Sequence, residues 1–230
     1  MIETLVPLLF AHMVGDFLMQ PGVMIRRKRE PLMLLAHVAT HVLLAALALG
    51  TVPIFALLIL GGTHLAIDAL KLRFGGGWRG FALDQVAHLA VIGGLALVLP
   101  GLWSWPVPEA LPVMAVAAGL IAALQMGRFG IGAFMDDLIA GDTEWEGPAL
   151  GLKDGGTYIG LAERLLIFVL VLQTQFAAIG FLIAAKSVLR FEATHDKRQA
   201  EYVIVGTLVS FAWAILVGLA TQGLLERLAA

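Results

Sequence analysis

Four pairs of side chains able to hold a metal recur at one spacing early in the chain: His12 with Asp16, His37 with His41, His64 with Asp68, and Asp84 with His88. Residues four apart share a helix face, so each pair can turn both donors toward one interior. An isolated ionisable group at the centre of a membrane helix costs about 2.5–3.5 kcal/mol on insertion scales. Eight such groups need compensation, and a divalent cation supplies it. Five imidazoles and three carboxylates exceed the four ligands of one tetrahedral zinc; they suit two ions bridged by an aspartate, or one ion whose histidines are held by outer carboxylates. The donors are nitrogen and oxygen only, so zinc is favoured and iron or manganese would also be accepted. One of Asp16, Asp68 and Asp84 would then serve as general base. Gln20, a turn beyond Asp16, and Gln85, beside Asp84, would stand behind the ligands and orient them.

The elements that must position these groups are membrane helices. Of 230 residues, 60% are hydrophobic and 14% charged, and the mean hydropathy is +0.90, well above what a soluble domain needs to fill one core. The expected fold is all-α, a polytopic helical bundle. Apolar runs approaching the ~17–25 residues that cross a bilayer fall at 3–20, 32–50, 53–71, 83–100, 111–127, 157–173, 175–191 and 202–222, giving about eight transmembrane helices. Pro31, Pro53 and Pro112 fit first helical turns, and Pro100 with Gly101 closes the fourth run. Only Gln173, Thr174 and Gln175 separate the sixth run from the seventh, where a tight hairpin is expected. The chain thus reads as two halves, 1–105 carrying the His/Asp cluster and 106–230. If the N-terminus is outside, every Lys and Arg among the 15 except Arg227 falls in or beside a cytoplasmic loop, which puts both termini in the extracytoplasmic space. Helices one and three then carry their pairs late, and helices two and four early. All eight groups share a slab about 2–15 Å deep from the cytoplasmic side at ~1.5 Å per residue.

A net charge of -2, with no basic tract that alternates with aromatics, argues against nucleic acid as a partner, and the absence of cysteine excludes disulfides, thiolate metal sites and a cysteine nucleophile. No Gly-x-Ser-x-Gly elbow or His-Glu-x-x-His sequence occurs, and no phosphate loop or Gly-x-Gly-x-x-Gly fingerprint follows a strand. The N-terminus lacks a basic n-region and a small-residue cleavage site, so it reads as a retained first span.

The second half carries charge of another kind. Glu163, Arg164, Lys186, Arg190 and Glu201 sit near expected cytoplasmic helix ends. The plain account is snorkelling cations and an ordinary ion pair. The sharper one is a substrate-binding anion pocket beside the metal, since Arg grips phosphate bidentately and Lys acts as a point charge. The substrate would then be a membrane lipid or lipid phosphate reached from the cytoplasmic leaflet. A connector at 128–156, with acids Asp136, Asp137, Asp142, Glu144, Glu146 and Asp154, is long enough for an interfacial helix, a lid or a docking place for a soluble partner. Asp154 and Thr157 are expected to cap the sixth helix.

The segments AHMVGDFLMQ, HVATH, HLAID and DQVAH, with IGLAERLLI, IGFLIAAKSVLRF and EYVIVGTLVSF later on, resemble an uncharacterised bacterial inner-membrane family, domain of unknown function thirty-three-oh-seven. The resemblance extends over nearly the whole chain and implies a multi-pass protein of the bacterial inner (plasma) membrane, without an activity. More loosely, the paired histidines and aspartates resemble those of membrane-bound metal-dependent hydrolases and of alkaline ceramidases, whose spacings differ. Two functions compete. The leading one is a membrane-embedded metal-dependent hydrolase or lipid-modifying enzyme. The alternative is a proton- or metal-coupled secondary transporter using the same cluster, against which the lack of an inverted repeat counts.

Overall fold

The computed structural model describes residues 1–141, 154–191 and 197–230, and side chains within these except at 188–191. It is all-α among the described residues: α1 (Ile2–Phe17), α2 (Gly22–Arg26), α3 (Pro31–Leu49), α4 (Ile54–Phe74), α5 (Gly77–Val98), α6 (Ala110–Ile121), a π-turn (Ala122–Met126), α7 (Gly127–Ile139), α8 (Gly155–Leu172), α9 (Phe176–Phe191) and α10 (Lys197–Ala229). Among the described residues, six helical stretches are long and apolar enough to cross a membrane: α3, α4, α5, Ala110–Ile139, α8 and α10. The protein therefore has the make-up of a multi-pass membrane protein. α1 has 16 residues, a rise of about 24 Å against ~30 Å of hydrocarbon. It ends at Phe17 rather than at residue 20, because Pro21 disfavours helical geometry at Gln20. The apolar part of α9 spans Phe176–Ser187.

The chain divides into two compact units, residues 1–121 with 224–230, and residues 122–223. The division falls inside the continuous helical stretch Ala110–Ile139, after the connector where the halves were expected to part. In the first unit α1 packs on α3, α5 and α6, α3 on α4, and α4 on α5. The four helices bearing the ligand pairs thus form a closed ring. Leu8, Ala11, Ala45, Leu49, Leu57, Leu60, Ile92 and Leu95 fill it, while Leu43, Leu47, Leu58, Val86 and Leu97 face outward, as lipid contact requires.

The local chemistry explains the boundaries. Pro31 occupies the first turn of α3, where its missing N–H costs nothing. That helix stops at Gly50, whose left-handed φ of 72° lets its N–H reach Ala46 O and Leu47 O. The second unit packs α8 on the π-turn, α7 and α9, around Ile167, Val171, Ile179, Phe211 and Ala214. The sequence places the α8–α9 hairpin at 173–175, and α8 does end at Leu172. Thr174 takes a φ of 55° there, and Gln175 N–H reaches Leu170 O at 2.8 Å.

The connector starts as helix: α7 continues α6 through the π-turn, with Asp136 and Asp137 exposed on it. Asp142, Glu144 and Glu146 lie outside the described residues. Asp154 is the N-cap residue of α8 but makes no side-chain cap, because its φ of 60° departs from the extended backbone that aims a capping oxygen back at the helix; Thr157 only donates its backbone N–H to Asp154 O.

Helices this close need small residues. A Cβ on Gly61 would stand 2.9 Å from Val42 Cγ2, whereas one on Gly62 would meet open space. Gly61→Ala is expected to lower the thermal midpoint in detergent by an overpacking cost of about 1–3 kcal/mol. Gly62→Ala should leave it unchanged or raise it, since Ala is the better helix former. Equal effects would mean that α3 and α4 are not in tight contact.

Candidate metal centre

The ring of α1, α3, α4 and α5 brings all eight expected ligands together. None is more than 9% exposed: His37 is fully buried, and His12, His41, His64 and His88 are each 3% exposed. Asp16 lies at the middle. Its Oδ1 is 3.1 Å from His41 Nε2, 3.2 Å from His37 Nε2 and 4.0 Å from His64 Nε2. His37 and His64 bring their own Nε2 atoms within 3.2 Å of each other. Asp68 Oδ2 faces the same histidines, 3.4 Å from His37 Nε2 and 3.6 Å from His64 Nε2. A second group adjoins the first: donor atoms of His12, His64 and His88 lie within 4.8 Å of one another, as do those of Asp16, Asp84 and His88. The rings of His41 and His64, and of His64 and His88, are in van der Waals contact, with centroids 3.9 and 4.1 Å apart.

Each outer carboxylate is divided between two environments. Asp68 Oδ1 accepts a hydrogen bond from Lys28 Nζ at 2.9 Å, and Asp84 Oδ2 accepts one from Lys71 Nζ at 2.6 Å. Their other oxygens, Asp68 Oδ2 and Asp84 Oδ1, are buried without a hydrogen-bond partner, and so is His88 Nε2. Buried polar atoms are seldom left so. The lysines hold one oxygen of each carboxylate and leave the other aimed among the imidazoles. A cavity of about 10 Å³, bordered by His12, His41, Thr63, His64 and His88, adjoins these rings, room for about one water-sized sphere.

Gln85 does more than stand behind one ligand. Its amide nitrogen donates to Asp16 Oδ2 at 3.0 Å and to Asp84 Oδ2 at 3.1 Å, and its Oε1 lies 3.3 Å from His12 Nε2. Gln20 does not join in: its amide nitrogen is buried without a partner. Sequence reasoning missed Lys28 and Lys71 as members of the site, having counted them only toward orientation. It also missed Gly15. A Cβ there would stand 2.6 Å from His41 Nε2 and 2.8 Å from Nδ1, so the imidazole lies directly on the α1 backbone next to Asp16.

The charges expected to bind substrate lie in the second unit. Lys186 Nζ donates to Glu163 Oε2 at 2.5 Å, Arg164 is buried beside Ser210, and Glu201 is an exposed partner of Lys197 at 3.9 Å. The side chain of Arg190 lies outside the described residues.

Breaking a buried ion pair from one side costs about 3–5 kcal/mol. Lys28→Met should therefore destabilise the chelator-treated protein strongly, and adding Asp68→Asn should restore part of the loss, as read from thermal unfolding in detergent. Purely additive losses would mean that the pair is not coupled.

No curated protein and no solved structure matches the chain, so the looser hydrolase and ceramidase likenesses gain nothing from comparison. The family model described as "Protein of unknown function (DUF3307)" matches residues 4–104, which carry every ligand pair together with Lys28, Lys71 and Gln85, and stops short of the second-half segments.

Proposed function

We propose that the cluster holds a divalent cation, zinc in preference to iron or manganese, and that the protein is a membrane-embedded metal-dependent hydrolase or lipid-modifying enzyme. The observation that carries this is a set of distances. A tetrahedron with zinc–ligand bonds of ~2.0–2.1 Å has edges of about 3.3 Å. The contacts of His37 with Asp16 and His64, and of Asp16 with His41, are 3.1–3.2 Å, with Asp16 to His64 somewhat longer at 4.0 Å. Four donors held near tetrahedral separation in an apolar bundle are what one ion would bind, and the inward oxygens of Asp68 and Asp84 with His88 Nε2 offer further ligand atoms for it or for a second ion.

When bound, the ion would lower the pKa of a water molecule and polarise the scissile group. Asp16 belongs with the three histidines as a ligand. Asp68 faces the same histidines. Asp84, whose inner oxygen faces His88 at 3.5 Å, is the better general base. Lys28 and Lys71 fix the outer oxygens of both carboxylates. Charge supports a phosphate-bearing lipid as substrate: three aspartates against two lysines leave the centre one charge negative, and one divalent ion makes it net positive. An anionic headgroup completes that balance. The distribution of basic residues supports eight spans with both termini outside, a bacterial inner membrane, and entry from the cytoplasmic leaflet.

Zinc-loaded protein in detergent should release phosphate or alcohol from a phospholipid or polyprenyl phosphate panel. His41→Ala should lose ion and turnover together. Asp84→Asn should keep the ion and lose about 10²–10⁴-fold in kcat. Full turnover by metal-free wild type would overturn the reading. Uptake into proteoliposomes that follows a proton or metal gradient and disappears with Asp68→Asn would replace it with the transporter.

A further inference from the structure

The second unit buries a cation that forms no ion pair among the described residues. Arg164 stands in the middle of α8, a helix apolar enough to cross a membrane, and is 4% exposed. A guanidinium has five N–H donors. In the structure Nη1 donates to Ser210 Oγ at 3.1 Å and Nη2 to Leu124 O at 3.2 Å, and Nε is buried without a partner. Its sequence neighbour Glu163 pairs instead with Lys186, and no carboxylate among the described residues forms an ion pair with Arg164. A charged group buried in a membrane helix ordinarily has a named partner.

The surrounding backbone is arranged around this group. The helix of residues 110–139 widens to a π-turn at Ala122–Met126, a distortion that recurs at functional sites. Two of its carbonyls are met from the side, Leu124 O by Arg164 and Ala122 O by Trp213 Nε1 at 3.0 Å. Two glycines make the room. A Cβ on Gly160 would stand 3.0 Å from Arg164 Nη1, and one on Gly127 would stand 2.7 Å from the Trp213 ring and 3.3 Å from Arg164 Cδ.

The geometry points to an anion site at Arg164, with Ser210 beside it and the π-turn as its wall, that takes an oxyanion of the phosphate class. Arg is suited to it because its fork matches two oxygens at once. The site belongs to the second unit alone and does not depend on the metal reading.

Full-length protein, stripped of metal with a chelator so that only the second unit is probed and immobilised from uncharged detergent, is offered labelled phosphatidic acid, labelled diacylglycerol as its uncharged counterpart, and labelled inorganic phosphate. Saturable retention of phosphatidic acid over diacylglycerol is expected, weakened about tenfold by Arg164→Lys, which keeps charge but loses the fork, and abolished by Arg164→Gln. Ser210→Ala and Gly160→Ala should each weaken it several-fold with helix content unchanged, so the inference is testable even if Arg164→Gln fails to fold. Retention of inorganic phosphate as well identifies a free oxyanion as ligand; retention of the lipid alone identifies a headgroup. Equal retention of diacylglycerol, retention of neither phosphate probe, or retention untouched by Arg164→Lys, Ser210→Ala and Gly160→Ala overturns the inference.

Discussion

Charge compensation inside hydrocarbon governs this structure. Five imidazoles and three carboxylates stand on helices whose outward faces are leucine and valine, where unpaired charge is costly and water is not at hand to soften it. Each is bearable only if the others are within a few ångströms. Asp16 shows how tightly this binds the fold: one carboxylate contacts histidines from α3 and α4 and the amide of Gln85 from α5. Moving any one of the four helices by a turn would strand a charge.

The apolar packing serves this arrangement. Between helices in lipid there is little hydrophobic drive, so close approach through small residues has to do the joining. Gly15 lets the His41 ring rest on α1, and Gly61 lets α4 close on α3. The lysines complete the balance from the loop side. Lys28 returns from the segment after α2 to reach Asp68, and Lys71 reaches Asp84 from the last turns of α4. The outer oxygens are thereby held, and the inner ones are turned toward the imidazoles. A preorganised donor set of this kind costs folding energy that an ion would return on binding.

Much of this was legible in the sequence because its signals are periodic. A repeat of four identifies a helix face, and alternation of late and early pairs along antiparallel helices gives a common level. That these eight side chains converge was readable on that ground alone. What could not be read depends on contacts without a period. The reach of Lys28 to Asp68 spans 40 residues and a short helix inside a basic loop, where the charges look like ordinary membrane-side anchors. Gly15 looks like any glycine in an apolar helix. The π-turn at 122–126 leaves no mark in a run of alanine, leucine, glutamine and methionine, so the arrangement around Arg164 emerges only from the fold. Gln20 shows the reverse: it continues the four-residue spacing past Asp16, yet α1 ends before reaching it, and its amide takes no part in the cluster.

The most direct measurement is elemental analysis of detergent-purified wild type beside a His37→Ala/His41→Ala double variant, after dialysis against a weak chelator, with helix content checked for both. The account predicts stoichiometric zinc, iron or manganese in the wild type, absent from a double variant that remains helical. A folded wild type that holds none of these ions, even after incubation with them, would contradict it.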